Sequence, residues 1–402
     1  MRGGEEVIRT LATNLSSSNN VTVIASDSVD IVSEFSFKGR RSNMPREKMG
    51  ENLEVIRLKS TPPISFPLHK MNDLITRMER KIPNIYSYRI PDLMRTYGWG
   101  PYLRGLRNSI SRGNYWVVHA SIFPTTTAYS ALKVSKKYGI PFVFTPYLHY
   151  KIGSFRSSYL MKYMLNNSDA VIACTPQEAD SIKEMGIDDG RVHTIPLSFD
   201  PDPVKELIIS RDDAKQHFLL GNRFVVLSHP WVSKGIISVI EGIARVSKKH
   251  NIALLTIGEP DTQYVRERDR ILKTYPELLF IDLGWVPSKL KWLAFSACDI
   301  FVMPSFNDAF GLSYLNAWAA RKPIVAAKGS ASSSLFDNNE NGYLIDPESP
   351  RELAEILSFL MDESDEINRL GKNGEKKLYS HFSPKIMTNK YESVFRTVLK
   401  ER

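Results

Sequence analysis

The residues best suited to chemistry lie in two short stretches of the second half of the chain. His229 and Lys234 stand five apart, with Lys234 directly before Gly235 and a helical pattern. Asp308 comes just before Phe310-Gly311-Leu312, which leads into a helix carrying Asn316. A lysine beside a glycine at a helix start suits a phosphate. The ammonium supplies charge, the first-turn amides point outward, and such a contact is worth about 0.3–1 kcal/mol when exposed. Each residue also has a structural reading. Lys234 could cap a loop, His229 could sit in the core, and Asp308 could be a helix-start residue and nothing more. Asn316 is unfavourable inside a helix, which argues for a task. In the first half, Thr145-Pro146-Tyr147-Leu148-His149 follows an apolar strand and offers a phenol and an imidazole. Gly3-Gly4 alone marks only a turn.

The elements that must hold these residues follow from the apolar pattern. Ile300–Met303 is a continuous apolar run fit for a buried parallel strand, closed by Pro304-Ser305. Leu312, Leu315, Trp318 and Ala319 recur at helical spacing, Arg321-Lys322-Pro323 breaks the helix, and Ile324–Ala327 reads as the next strand. The same alternation runs back through strands at 279–282, 253–258 and 224–228, with helices at 288–297, 261–275 and 235–249 between them. The first half has a helix at 4–15 and strands at 21–24 and 53–58. A mostly helical stretch at 68–112 is broken at Pro83, Pro91 and Pro101. Strands at 116–119, 141–145, 170–173 and 193–195 follow, with a helix at 125–138 between the first two. Residues 38–48, rich in Lys and Arg, read as loop. Strands alternating with helices imply parallel sheets covered on both faces, hence two doubly wound α/β domains meeting across a cleft, with ligands at the strand ends. Residues 200–215 are Pro-containing and charged and read as the boundary. A doubly wound domain opens with a strand before its Gly-rich turn, so the early Gly3-Gly4 leads us to expect a strand upstream of Met1.

A chain of 402 residues is comfortable as two domains, and 42% hydrophobic with 24% charged residues reads as globular. No apolar run reaches the roughly 20 residues of a membrane span, and the first ten residues lack the apolar core of a signal peptide, so a cytoplasmic protein is expected. Cys174 and Cys298 read as buried free thiols, and no metal-ligand spacing exists, so no metal is expected. The net charge of +9 is lopsided: residues 1–200 hold 26 Lys+Arg against 18 Asp+Glu, and the remainder is nearly neutral. Between Lys70 and Arg112, nine basic residues meet three acidic ones, interleaved with aromatics. A solvated surface is the plain reading. The sharper one is an anionic membrane surface at the inner face or a lipid-phosphate substrate. Nucleic acid is disfavoured because no recognition motif accompanies the charge. A Rossmann dehydrogenase lacks its Gly-x-Gly-x-x-Gly, and no P-loop spacing occurs.

In order and spacing, several motifs resemble the retaining nucleotide-sugar glycosyltransferases of family 4, which have the GT-B fold of two Rossmann-like domains. They are Gly3-Gly4-Glu5, Ser168 to Ile172, Ile195-Pro196 with Asp200, Lys234-Gly235, Leu283-Gly284-Trp285-Val286, Asp299 to Pro323, and Asn341 to Leu344. The resemblance implies domains at 1–202 and 203–382 and a last helix, 383–402, packing back on the first. It also implies a UDP-, GDP- or dTDP-linked donor as substrate, no tightly bound cofactor, and a glycan or lipid-linked acceptor on the first domain. By family analogy Asp308 touches sugar hydroxyls, Asn316 the ribose, and His229 and Lys234 the diphosphate. Phe310, Gly311, Leu312, Trp285, Val286, Gly3 and Gly4 line the donor site, and His149 or Tyr147 faces the substrate. The family pattern has glutamate where Asp308 and Asn316 stand, arginine at His229 and glutamate near Ser334. These departures keep a non-catalytic, sugar-binding GT-B protein as the alternative.

Overall fold

The computed structural model describes residues 3–29, 39–61, 78, 82, 84–148, 157–306 and 308–401. The chain divides into two compact units, residues 1–196 with 384–402, and residues 197–383. Both units are α/β.

The first unit contains β1 (Val21–Ser26), β2 (Arg46–Lys48), β3 (Leu53–Leu58), β4 (Val118–Ser121), β5 (Phe142–Thr145), β6 (Ala170–Ala173) and β7 (Val192–Thr194). Among the described residues these form two sheets, β1-β3-β2 and β4-β5-β6-β7. The second is wholly parallel. β2 corrects the expectation of a loop at 38–48: it is an antiparallel edge strand on β3, held by Arg46–Glu54 and Arg57–Glu47 ion pairs. A three-residue strand of charged residues carries no apolar period, so pattern reading passes over it. Most of the stretch expected to be helical at 68–112 falls outside the described residues until Asn84. Beyond that point it forms the helices Arg89–Trp99 and Leu106–Arg112. The helix Pro384–Lys400 belongs to this unit, packs beside helix Gly3–Leu15, and brings the Tyr391 hydroxyl to Thr145 Oγ1 at 3.2 Å.

The second unit is one six-stranded parallel sheet made of β8 (Phe224–Ser228), β9 (Ile252–Thr256), β10 (Leu279–Asp282), β11 (Ile300–Met303), β12 (Ile324–Ala327) and β13 (Tyr343–Ile345). Its order is β10-β9-β8-β11-β12-β13. The chain therefore runs outward one way from β8 and then restarts beside it at β11 and runs the other way. The reversal lies between β8 and β11, where Ile300 pairs with Val226. Alternation splits the side chains of β11 between the two faces. Ile300 and Val302 join Val226, Leu254 and the helices Ile236–Val246 and Pro350–Asp362, while Phe301 packs against Phe295 and Tyr314, at 5.6 and 6.0 Å between ring centroids. Residues 200–215 lie inside this unit. Arg211 and Lys215 of helix Arg211–His217 pair with buried Asp299, which also accepts from the Val225 amide at 2.8 Å. Asp299 thus locks the starts of β8 and β11 side by side.

Candidate functional site

At the carboxyl ends of β8 and β11 two loops diverge into helices on opposite faces, leaving the crevice in which open α/β sheets bind ligands. The β8 loop runs through His229 and Trp231 into a 3-10 turn, Val232–Lys234. Gly235 then has φ 81°, and a Cβ there would sit 2.5 Å from the Pro304 carbonyl. Only glycine lets the two loops approach this closely. The result is an ion pair between Lys234 Nζ and Asp308 Oδ1. Asp308 is 8% exposed, and its Oδ2 is buried with no hydrogen-bond partner among the described residues. Such an acceptor costs about 1–3 kcal/mol unless a donor reaches it. Gly311, φ 88°, opens helix Leu312–Ala319 without any side-chain cap.

His229 lies between these parts. Its Nδ1 is 2.7 Å from the Ile257 carbonyl and its Nε2 is 2.8 Å from Ser313 Oγ, in the first turn of the helix Leu312–Ala319. The ring stacks on Trp231 at 9° and 5.2 Å and meets the Phe301 ring edge-on. Burial pushes its pKa below the ordinary histidine value, with Lys234 and Lys291 acting in the same direction against the Ile257 carbonyl and Asp308. The family analogy of a histidine reaching directly for a diphosphate therefore meets a different geometry: both ring nitrogens are engaged, one of them with Ser313 in the first turn of the helix.

Trp231 donates to the Glu259 carbonyl at 2.7 Å, and its ring lies 6.1 Å from that of Trp285, which is 72% exposed. Gly258 and Gly284 bridge the ends of the β9 and β10 loops beneath them. The two indoles form an open wall beside the crevice, with Val286 half-buried next to it. Asn316 is one turn beyond Ser313 and shares its helix face; it too is half-buried. Phe310 points into the core, edge-on to Phe382 at 5.9 Å, so at this position only backbone is left to meet a ligand. The Ser334 hydroxyl is bonded to Ala331 at 3.1 Å.

The structure thus brings Lys234, Asp308, His229, Asn316, Gly311, Leu312, Trp231 and Trp285 together on one unit. Gly3 and Gly4 start the helix Gly3–Leu15 of the other unit. His149 lies outside the described residues. Sequence reasoning missed Ser313 and Trp231, which carry no spacing signal of their own. It also missed Glu178, whose signal was present: Thr175-x-x-Glu178 is a helix-start pattern. Glu178 is fully buried and accepts from the amides of Leu148 at 2.6 Å and Cys174 at 2.7 Å, and from Cys174 Sγ at 2.9 Å. It ties the loop after β5 to the loop after β6. Beside it Tyr147 holds φ 53°, with its hydroxyl buried and unpartnered among the described residues.

Two units built on mainly parallel sheets, with a charged crevice at the switch point of the second, define a GT-B glycosyltransferase architecture. A sucrose-phosphate synthase from Thermosynechococcus elongatus has the same fold, with a TM-score of 0.70 and 18% identity over 100% of this chain and 94% of that one. So does Anabaena HepE in complex with UDP and glucose, with a TM-score of 0.68 and 16% identity over 98% and 96%. The family described as Glycosyltransferase Family 4 matches residues 1–203, and Glycosyl transferases group 1 matches residues 211–377. The chain belongs to the family 4 glycosyltransferases. The capsular polysaccharide biosynthesis glycosyltransferase CapM of Staphylococcus aureus is 27% identical over 47% of this chain, a match spanning 50% of CapM. This chain therefore spans about half the length of that relative.

Proposed function

We propose that this protein transfers a sugar, with retention of configuration, from a nucleoside-diphosphate sugar to a glycan or lipid-linked acceptor. The observation that carries the reading is the crevice of the second unit. There the Lys234 ammonium and the uncapped start of the helix at Leu312 supply positive charge beside a buried Asp308 oxygen that lacks a donor. Loss of the nucleoside diphosphate places negative charge on the departing phosphate. Fixed positive groups aimed there stabilise the transition state more than the ground state. In this reading Lys234 and the Leu312 turn hold the diphosphate, and Asp308 Oδ2 accepts from a sugar hydroxyl. Asn316 meets the ribose, and Trp285 and Val286 flank the base. The bond from the anomeric carbon to phosphate oxygen breaks, the acceptor oxygen bonds to that carbon on the same face, and the acceptor proton passes to the departing phosphate. His149, as a residue facing the substrate, and Gly3 and Gly4, as part of the donor site, are assigned by resemblance alone.

The name of CapM supports a cell-surface glycan acceptor, and HepE, with UDP and glucose bound, supports a nucleotide-sugar donor. A membrane-bound acceptor is supported by residues 84–113. Tyr88, Ile90, Trp99 and Tyr102 are exposed there beside exposed Arg89, Arg104, Arg107 and Arg112, and the one carboxylate, Asp92, is buried. Arginine and aromatic side chains together suit an anionic bilayer surface. Among the described residues no helix is long and apolar enough to cross a membrane. Sedimentation with vesicles should show binding to anionic and not zwitterionic lipid.

The main test is release of nucleoside diphosphate from a panel of UDP-, GDP- and dTDP-sugars, with and without a lipid-linked acceptor extract. Lys234→Ala should lower release by about 10²–10³. Binding of a donor with no release under any acceptor would favour the alternative of a non-catalytic sugar-binding protein.

A further inference from the structure

We propose that diphosphate binding at this crevice is coupled to uptake of one proton by His229, and that the Ser313 hydroxyl is the phosphate-positioning group that the proton releases. This rests on the donor site proposed above and adds a role for two side chains to it.

A carbonyl oxygen only accepts, so the 2.7 Å contact with Ile257 fixes the hydrogen on His229 Nδ1. In the neutral ring Nε2 is then a bare lone pair, and the Ser313 hydroxyl, 2.8 Å away, gives it its single hydrogen. Ser313 in that state turns only lone pairs toward the opening of the helix, which repel a phosphate oxygen. Protonation of Nε2 reverses the bond: the ring donates to Ser313 Oγ, and the serine hydrogen is free to turn to the phosphate. The imidazolium adds a positive charge behind it. No covalent bond changes; one proton moves from solvent to Nε2.

The groups facing the ring decide when this happens. Lys234 from the 3-10 turn and Lys291 from the helix Ser288–Ala297 oppose the proton; Asp308 and the Ile257 carbonyl favour it; Trp231 and Phe301 are neutral walls. Enclosure and the two lysines leave the free protein with a neutral ring. A diphosphate ligand neutralises the lysines and adds negative charge of its own, which tips the balance. An arginine at this place would be charged at all times and would have no such coupling. Because the complex holds the proton more tightly than the free protein, affinity rises as pH falls, by up to tenfold per pH unit between the two His229 pKa values, and is flat outside them.

Calorimetric titration of the full chain with UDP-glucose, GDP-mannose and a dTDP-sugar tests this, in two buffers of different ionisation enthalpy from pH 5.5 to 8.5. A diphosphodiester does not itself titrate in that range. We expect net uptake approaching one proton per ligand near pH 7. His229→Gln should bind with no uptake, because its amide N–H donates to Ser313 without titrating. Ser313→Ala, a mild change on a helix, should lose affinity mainly at the low-pH end. Imidazole nitrogen shifts of the free protein should report an Nδ1–H tautomer. Wild-type binding without proton uptake overturns the inference and leaves the donor site standing, as does uptake that persists in His229→Gln. If no nucleotide sugar binds at any pH, the donor site and this coupling fall together.

Discussion

The helix Pro176–Glu184 follows β6 in the first unit, and the helix Leu312–Ala319 follows β11 in the second. Both begin just past the carboxyl end of a buried parallel strand. In the first, Thr175 Oγ1 accepts from the Glu178 amide at 3.2 Å, proline fills the first turn, and the Glu178 carboxylate folds back onto the Cys174 and Leu148 amides. Its start is capped by its own sequence, and its acid is spent on amides outside the helix. In the second, Gly311 offers no side chain, and the residues gathered around the opening are Lys234, Asp308 and Ser313. Identical topology thus yields one sealed helix start that fastens two loops and one open start that can take an anion. What distinguishes a binding strand-end from a structural one here is whether the sequence supplies its own cap.

The sharpest way to break this contrast is Lys234→Ala. Removing the cation from the open start should lower nucleotide-sugar turnover by about 10²–10³, the scale of losing one group that stabilises charge in a transition state. It also strips Asp308, nearly buried, of its partner, so the second unit should lose stability. Adding Asp308→Asn should restore much of that stability and none of the turnover. Turnover unchanged in Lys234→Ala would remove the open helix start from the chemistry.

At the sealed start, Glu178→Ala orphans two buried amides and should destabilise the first unit by about 3 kcal/mol. The carboxyl also carries a pH signature. Burial raises its pKa to about 7, against the pull of its hydrogen bonds. The folded state therefore favours the protonated acid. Its contribution is fully present below the unfolded value of about 4.5 and is lost as pH rises through about 7, at up to about 1.4 kcal/mol per pH unit. Chemical unfolding across that window should show a slope that Glu178→Gln flattens. A slope unchanged by Glu178→Gln would mean another group is responsible.

Gly311→Ala probes the open start from the backbone side. Alanine at φ 88° costs about 1–2 kcal/mol, and its Cβ would lie 2.5 Å from the Tyr314 ring. Tyr314 is itself pinned by a 2.6 Å bond to the Met303 carbonyl. A loss of about 2–3 kcal/mol in the second unit is expected; a change under about 0.5 kcal/mol would contradict the described turn.

Much of the second unit was legible because buried parallel strands announce themselves. Ile300–Met303 and Ile324–Ala327 are uninterrupted apolar runs, and the helix between them repeats at three and four. The glycines at 235 and 311 and the lysine between loop and helix were equally readable, since each answers a local demand of backbone or charge. Ser313 and Trp231 were not, because their roles come from tertiary contacts with His229 that no spacing encodes. For His229 the sequence leaves a core residue and, by family analogy, a diphosphate contact both open. Its partners, Ile257 and Ser313, lie 28 and 84 residues away, and only folding reveals that both nitrogens are occupied. β2 escaped for the opposite reason: a charged edge strand is defined by its neighbour β3 and not by its own pattern.

Asn316→Glu gives the smallest and most informative change at the open start. Asn316 shares a helix face with Ser313 and is half-buried, so a longer carboxylate there lies on the same side of the helix as the His229 contact. If the residue meets the ribose of the donor, a charged acceptor should strengthen that contact by about 1–2 kcal/mol, seen as tighter nucleotide-sugar binding in the same calorimetric series. The position is half-buried and glutamate is a better helix former than asparagine, so the fold should tolerate it. Weaker binding would mean instead that the position faces the diphosphate, where an added anion repels. In that case the ligand enters this crevice with its phosphates further along the helix than Lys234 and Leu312 imply.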